Sequence, residues 1–228
     1  MGFTLSEVVP WGRSFAEYVA MFQLATGDLE RRVLGCGDGP ASFNAELTRR
    51  GGHVVSIDPI YALGAEAIRH RIAVTYEAVM TQLRENRDDY VWTSIRSVEA
   101  LGRIRMAAMK TFLADYQAGG KEGRYVAAAL PRLPFADRVF DIALSSHLLF
   151  LHSAQLSADF HLRALTEMLR VAGEVRAFPL CTLDGTPSPH LSLVTARLEK
   201  SGFEADICRV DYEFQRGATQ MLRVKAFR

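Results

Sequence analysis

Three glycines, Gly35, Gly37 and Gly39, alternate in the stretch "VLGCGDGPASF", after two apolar residues and ahead of a helical pattern. Glycines so placed let a chain turn sharply and bring backbone N–H groups, here those around Cys36 and Asp38, close to a ligand at the start of a helix. The next apolar run, "HVVSID", ends in Asp58, 23 residues after Gly35, with Pro59 behind it. A carboxylate there accepts hydrogen bonds from two neighbouring hydroxyls, as a ribose presents them. Turn and acid together indicate a nucleoside more narrowly than either does alone.

A second cluster, Ser145, Ser146 and His147, follows the apolar run "FDIAL". An imidazole titrates near neutrality and can take a proton from a reacting group, so His147 is a candidate general base; its alternative is a hydrogen-bonded structural role. His152 follows in a short apolar run as a candidate for substrate contact. Ahead of the glycine turn, "PWGRSFAEYVAMF" offers Trp11, Arg13 and Tyr18: Trp11 and Tyr18 are candidates to line a substrate site, and Arg13 reads as a solvated charge on a packed helix. Trp92 is a further substrate candidate. The arginines near it, Arg96, Arg103 and Arg105, read individually as solvated, and collectively as a set that could pair an acidic group.

These residues need elements to hold them. "RRVL" and "HVVSID" read as buried strands flanking the helix "PASFNAELTRRGG", with Pro40 near its first position and Gly51 at its end, which makes one βαβ unit. Before it, Phe15, Tyr18, Val19 and Phe22 fall at helical spacing behind Ser14 as a cap, within an N-terminal helical segment over 1–30. From about 70 to 122 the pattern is helical and longer than one crossover needs, so it reads as an insertion. Later strands are expected at Tyr125–Ala128, at Val139–Leu144 and over "EVRAFPL", with a helix capped near Ser157. At the end, a helix closed by Gly202 precedes two strands parted by "QRGAT" in the manner of a hairpin. The result is an α/β chain with a mostly parallel sheet and an antiparallel edge.

At 228 residues with a net charge of +1, the chain suits one domain, 1–228, and has no global field to attract nucleic acid or an anionic membrane. The three cysteines include no CxxC pair, which argues against a zinc or redox site; no metal is expected. With no secretory leader pattern and no long apolar run, a cytoplasmic location is expected.

The GxGxG turn followed by an aspartate-ended strand resembles the class I S-adenosylmethionine-dependent methyltransferases. "LPF" (Leu133 to Phe135), "FDIALSSH" (Phe140 to His147) and "EMLRVAGEV" (Glu167 to Val175) extend the resemblance from Arg31 to Phe227. It implies a Rossmann-like, mostly parallel seven-stranded sheet with the last strand antiparallel, helices on both faces, and the insertion between strands two and three. It further implies S-adenosyl-L-methionine as cofactor, with Leu130 flanking the adenine, and methyl transfer; a small-molecule acceptor is expected over a nucleic acid because the basic residues are scattered among acids and no RNA-binding module is apparent. Two acids common in the family are missing, since Val33 and Ala129 stand in their places. Asp38 is therefore read either as a replacement contact to the cofactor's ammonium group or as a helix cap. A non-catalytic nucleoside-binding protein of the same fold is the alternative. A dinucleotide oxidoreductase is disfavoured because Pro40 occupies the place of the third glycine in GxGxxG.

Overall fold

The computed structural model describes residues 10–226; residues 1–9, part of the N-terminal segment, and Phe227, where the resemblance ends, lie outside them. The sheet has seven strands in the order β3-β2-β1-β4-β5-β7-β6. They are β1 (Arg32–Cys36), β2 (His53–Ile57), β3 (Tyr125–Val126), β4 (Phe140–Ser146), β5 (Ala172–Phe178), β6 (Phe203–Arg209) and β7 (Gln220–Ala226). The first five run parallel, and β7 lies antiparallel between β5 and β6. The mostly parallel seven-stranded sheet, with an antiparallel strand at its end, is the one expected from the sequence.

Helices cover the sheet: α1 (Phe15–Met21), α2 (Thr26–Leu29), α3 (Phe43–Arg49), α4 (Ala65–Glu85), α5 (Val98–Lys121), α6 (Ala158–Val171) and α7 (Leu191–Lys200). Val33, Leu34 and Cys36 of β1 are fully buried, as a strand covered on both faces requires. One core cluster joins Leu34, Ile57 and Ala143 to Leu165, Leu169 and Leu198 beneath α6 and α7. A second joins Val33, Ile142 and Leu144 to Phe15, Tyr18 and Phe43 under α1 and α3. Tyr18 and Phe43 stack with centroids 4.5 Å apart, which seats α1 beside the glycine turn.

Several elements differ from the sequence reading. The strand expected at Tyr125–Ala128 is only Tyr125–Val126, because the proline-marked loop leaves the sheet edge early. The strand expected from Val139 begins at Phe140 and runs on to Ser146. Pro40 does not open α3, which starts at Phe43, since the residues between cross under Gly12; a Cβ on Gly12 would lie 2.1 Å from the Pro40 carbonyl oxygen. The expected long N-terminal helix breaks after Met21, with Gln23 in the left-handed region at φ 48°. Between β6 and β7 runs a longer connection, 210–219, rather than a five-residue turn.

That connection packs on the segment between α4 and α5. Phe214 stacks on Tyr90 with centroids 4.9 Å apart, and the Val91 N–H donates to the Phe214 carbonyl at 2.8 Å. The insertion and the C-terminal loop thus form one wall above the sheet.

Candidate functional site

At the carboxyl ends of β1, β2 and β4 lies a cavity of about 510 Å³, within the range for small-molecule sites. Gly37, Asp38 and Gly39 form its floor. Gly37 and Gly39 adopt φ of 72° and 52°, a region that side chains enter only under strain, and at Gly37 a Cβ would also lie 2.6 Å from the Leu148 side chain. The turn hangs on its neighbours: the Gly37 N–H donates to the Ile57 carbonyl at 2.9 Å, and the Gly39 N–H donates to Asp58 Oδ2 at 2.9 Å. The Tyr61 hydroxyl donates to the Gly39 carbonyl at 2.6 Å, and Tyr116 of α5 donates in turn to the Tyr61 carbonyl at 2.8 Å. The insertion therefore braces the turn.

Asp58 accepts on both oxygens, the second bond coming from the Ile60 N–H at 2.9 Å. Burial raises its pKa, and the two N–H donors oppose that rise. A carboxylate oxygen has two lone-pair directions, so each keeps capacity for a hydroxyl. Pro59, Leu130 and Ala129 also line the cavity.

Asp38 caps no helix; α3 has no side-chain cap at all. Its carboxylate folds back over the end of β1, where a Cβ on Gly35 would lie 1.8 Å from it, which is why position 35 must be glycine. There it accepts from the Tyr18 hydroxyl at 2.8 Å and the Ser56 hydroxyl at 2.6 Å. Burial pushes its pKa up to about 6, against the pull of the Ser56 and Tyr18 hydrogen bonds, with the charge of Asp58 adding to the rise.

His147 follows β4 in the left-handed region at φ 56°, its N–H bound to the Phe178 carbonyl at 2.7 Å. Its Nδ1 lies 2.9 Å from the Ser146 hydroxyl, and its ring meets the edge of Phe178. Burial, then the charges of Arg13 and Arg105, then His152, hold its pKa well below the usual histidine value. The ring is therefore neutral at physiological pH. His152, Trp11 and Tyr18 also line the cavity.

Other candidates lie elsewhere. Gly35, Cys36 and Ser145 are not among the cavity-lining residues; Cys36 and Ser145 are fully buried in their strands. Trp92 also stays off the cavity, because its indole donates to the Arg87 carbonyl at 2.8 Å and its ring packs edge-on to Phe214.

The largest departure concerns charge. Arg13 and Arg105 read from sequence as solvated, yet both line the cavity, and Arg105 is 0% exposed. Arg105 forms an ion pair with Glu17, whose other oxygen accepts from Tyr212 at 2.8 Å. Burial works to raise the Glu17 pKa, but the charge and hydrogen bond of Arg105, with Arg13 behind, hold it at about 2. Arg13 donates to the Trp11 carbonyl at 2.6 Å; burial and the nearby Arg105 lower its pKa to about 10. Glu17 and Tyr212 went unrecognised in the sequence, and so did their link to Arg105, because the three come from distant segments. The one local signal was the "SFAE" capping box, with Ser14 N donating to Glu17 Oε2 at 2.9 Å. It marks Glu17 as a helix-start residue and conceals its second partner.

Among the described residues, no group of three or more His, Cys, Asp or Glu side chains is arranged to hold a metal, and no helix is long and apolar enough to cross a membrane.

No family model matches the chain. It is 32% identical over 222 residues to the uncharacterized protein MJ0045 of Methanocaldococcus jannaschii, with 97% of each chain covered. Among solved structures it is similar to magnesium protoporphyrin IX methyltransferase of Synechocystis PCC 6803 with bound SAM, at 12% identity and TM-score 0.48, covering 93% of this chain and 78% of that one. It is also similar to a putative RNA methyltransferase, PH1948, of Pyrococcus horikoshii, at 11% identity and TM-score 0.47, covering 93% and 85%.

Proposed function

Given that the chain belongs to one family with MJ0045 and has the class I methyltransferase fold, we propose that it transfers a methyl group from S-adenosyl-L-methionine to a small-molecule acceptor. The observation that carries this reading is the Asp58–Gly39 clamp on the cavity floor, which sets a carboxylate with free acceptor capacity, as a ribose needs, beside a glycine turn. Leu130 and Ala129 would flank the adenine by apolar contact. Asp38 would face the cofactor's ammonium group, whose charge favours the ionised carboxylate over the protonated one.

Bound S-adenosyl-L-methionine supplies an activated methyl carbon, so the protein's part is to orient the acceptor and exclude water. The wall formed by Tyr90, Phe214, Val79 and Leu83 does the second. His147, neutral and fixed by Ser146 and Phe178, takes a proton from an acceptor that must lose one.

Calorimetry with S-adenosylmethionine, S-adenosylhomocysteine and NAD tests the cofactor assignment. Binding of the first two with discrimination against NAD is expected. If neither adenosyl compound binds, the reading fails; if both bind and a broad acceptor panel yields no methylated product, its catalytic half fails.

A further inference from the structure

Arg105 is fully buried on α5, yet only one side of its guanidinium is engaged. Nη1 pairs with Glu17, while Nε and Nη2 have no hydrogen-bond partner. These two donors lie side by side, as the fork that grips a carboxylate through two parallel hydrogen bonds. Buried charged donors left without partners are costly, so a fork on a cavity wall calls for a ligand anion. The local charges agree: Arg13 and Arg105 against the single Glu17 leave one positive charge, and Arg13 Nε is also unpartnered.

We propose that the methyl acceptor carries a carboxylate and that Arg105 holds it through Nε and Nη2, with the rest of the acceptor against Tyr90, Phe214, Val79 and Leu83. This rests on the methyltransferase reading above. The one positive charge left by Arg13, Arg105 and Glu17 suits a monoanion better than a phosphate dianion.

The cofactor's own carboxylate is the competing anion, and the test below distinguishes the two. Arg13 is tied to the segment that follows the glycine turn, where its carbonyl accepts from the Ser42 N–H at 3.0 Å. Arg105 connects instead through Glu17 and Tyr212 to Phe178, at the end of β5; Tyr212 meets that ring edge-on at 5.7 Å. Asp58, which would hold the ribose, follows β2, and β5 is three strands away, about 14 Å at the usual spacing.

The test uses protein saturated with S-adenosylhomocysteine, titrated with benzoate, phenylacetate and hexanoate, each beside its primary amide, by ligand-observed NMR. At least one acid is expected to bind about tenfold tighter than its amide, the value of a charge-assisted hydrogen bond. Glu17→Gln/Arg105→Gln, which removes both charges of the pair together, is expected to abolish that preference. Arg105→Lys, which keeps the charge without the fork, is expected to reduce it. No binding of any acid by the wild type, equal binding of acids and amides, or an acid preference that survives in the double variant overturns the proposal. The second source of a carboxylate is read by comparing S-adenosylhomocysteine with 5′-methylthioadenosine, which lacks the amino-acid portion. If the double variant weakens only the former, Arg105 serves the cofactor and the proposal falls. Failure of the wild type to bind S-adenosylhomocysteine defeats the methyltransferase reading instead, and is seen before any acid is added.

Discussion

The Tyr18 hydroxyl donates to Asp38 at 2.8 Å, tying the helix before the sheet to the turn that follows its first strand. Both groups are buried, and Ser56 at the end of β2 takes the other carboxylate oxygen. An acid thus stands three residues past Gly35, held from two sides, whereas the methyltransferase resemblance expects one at Val33.

Tyr18→Phe removes a donor that favours the charged carboxylate, so the Asp38 pKa rises further above about 6. Its carboxyl carbon resonance, followed by NMR against pH, should move its midpoint upward. Stability should fall by about 1 kcal/mol, the typical net value of one hydrogen bond.

Asp38 also sets a pH dependence. Its folded pKa, about 6, lies above the ordinary 3.8, so the protonated form adds stability that is complete below 3.8 and lost as pH rises through 6. Relative to Asp38→Asn, the wild-type melting temperature should decline between pH 4 and pH 6.5. If an ammonium group is its partner, cofactor affinity should rise over the same interval. A flat difference between the two melting curves would contradict the assigned shift.

Glu17 behaves in the opposite sense. Its pKa of about 2 lies below the ordinary 4.5, so its stabilisation is present above 4.5 and lost as pH falls toward 2. At neutral pH, Arg105→Gln alone leaves a buried carboxylate short of its partner and should cost roughly 3–5 kcal/mol in denaturant unfolding. Glu17→Gln/Arg105→Gln should cost less than the single change, since no charge is stranded.

Asp58→Asn keeps the shape of the side chain but not its charge or its full acceptor capacity. Affinity for S-adenosylhomocysteine should drop about ten- to a hundredfold by calorimetry. Unchanged affinity would remove Asp58 from the ribose.

For His147, asparagine is the informative replacement, because it tolerates the left-handed backbone at φ 56°. Once an acceptor is known, His147→Asn should lower kcat by roughly a hundredfold or more with cofactor affinity unchanged. Full turnover in that variant would exclude general-base catalysis at this position.

Periodicity and turn chemistry made the sheet legible: alternating apolar runs placed β1, β2, β4 and β5, and the glycine spacing located the cavity floor. Local pattern could not place Trp92 against Phe214 or bury Arg105, because those contacts join segments more than eighty residues apart. Polar side chains followed the same limit. Asp38 was visible as an acid inside the turn, but its partners Tyr18 and Ser56 lie on other elements and emerge only when the chain closes.

The wall shared by the insertion and the 210–219 connection has an evolutionary consequence. Its two halves are joined through main-chain groups, Val91 to Phe214 and Arg216 to Asp89, as well as through stacked rings. A relative whose backbone path changes in one half, by insertion or deletion, leaves main-chain groups of the other without partners. The two stretches should therefore vary together in length, and a chimera should keep its fold only when both come from the same parent.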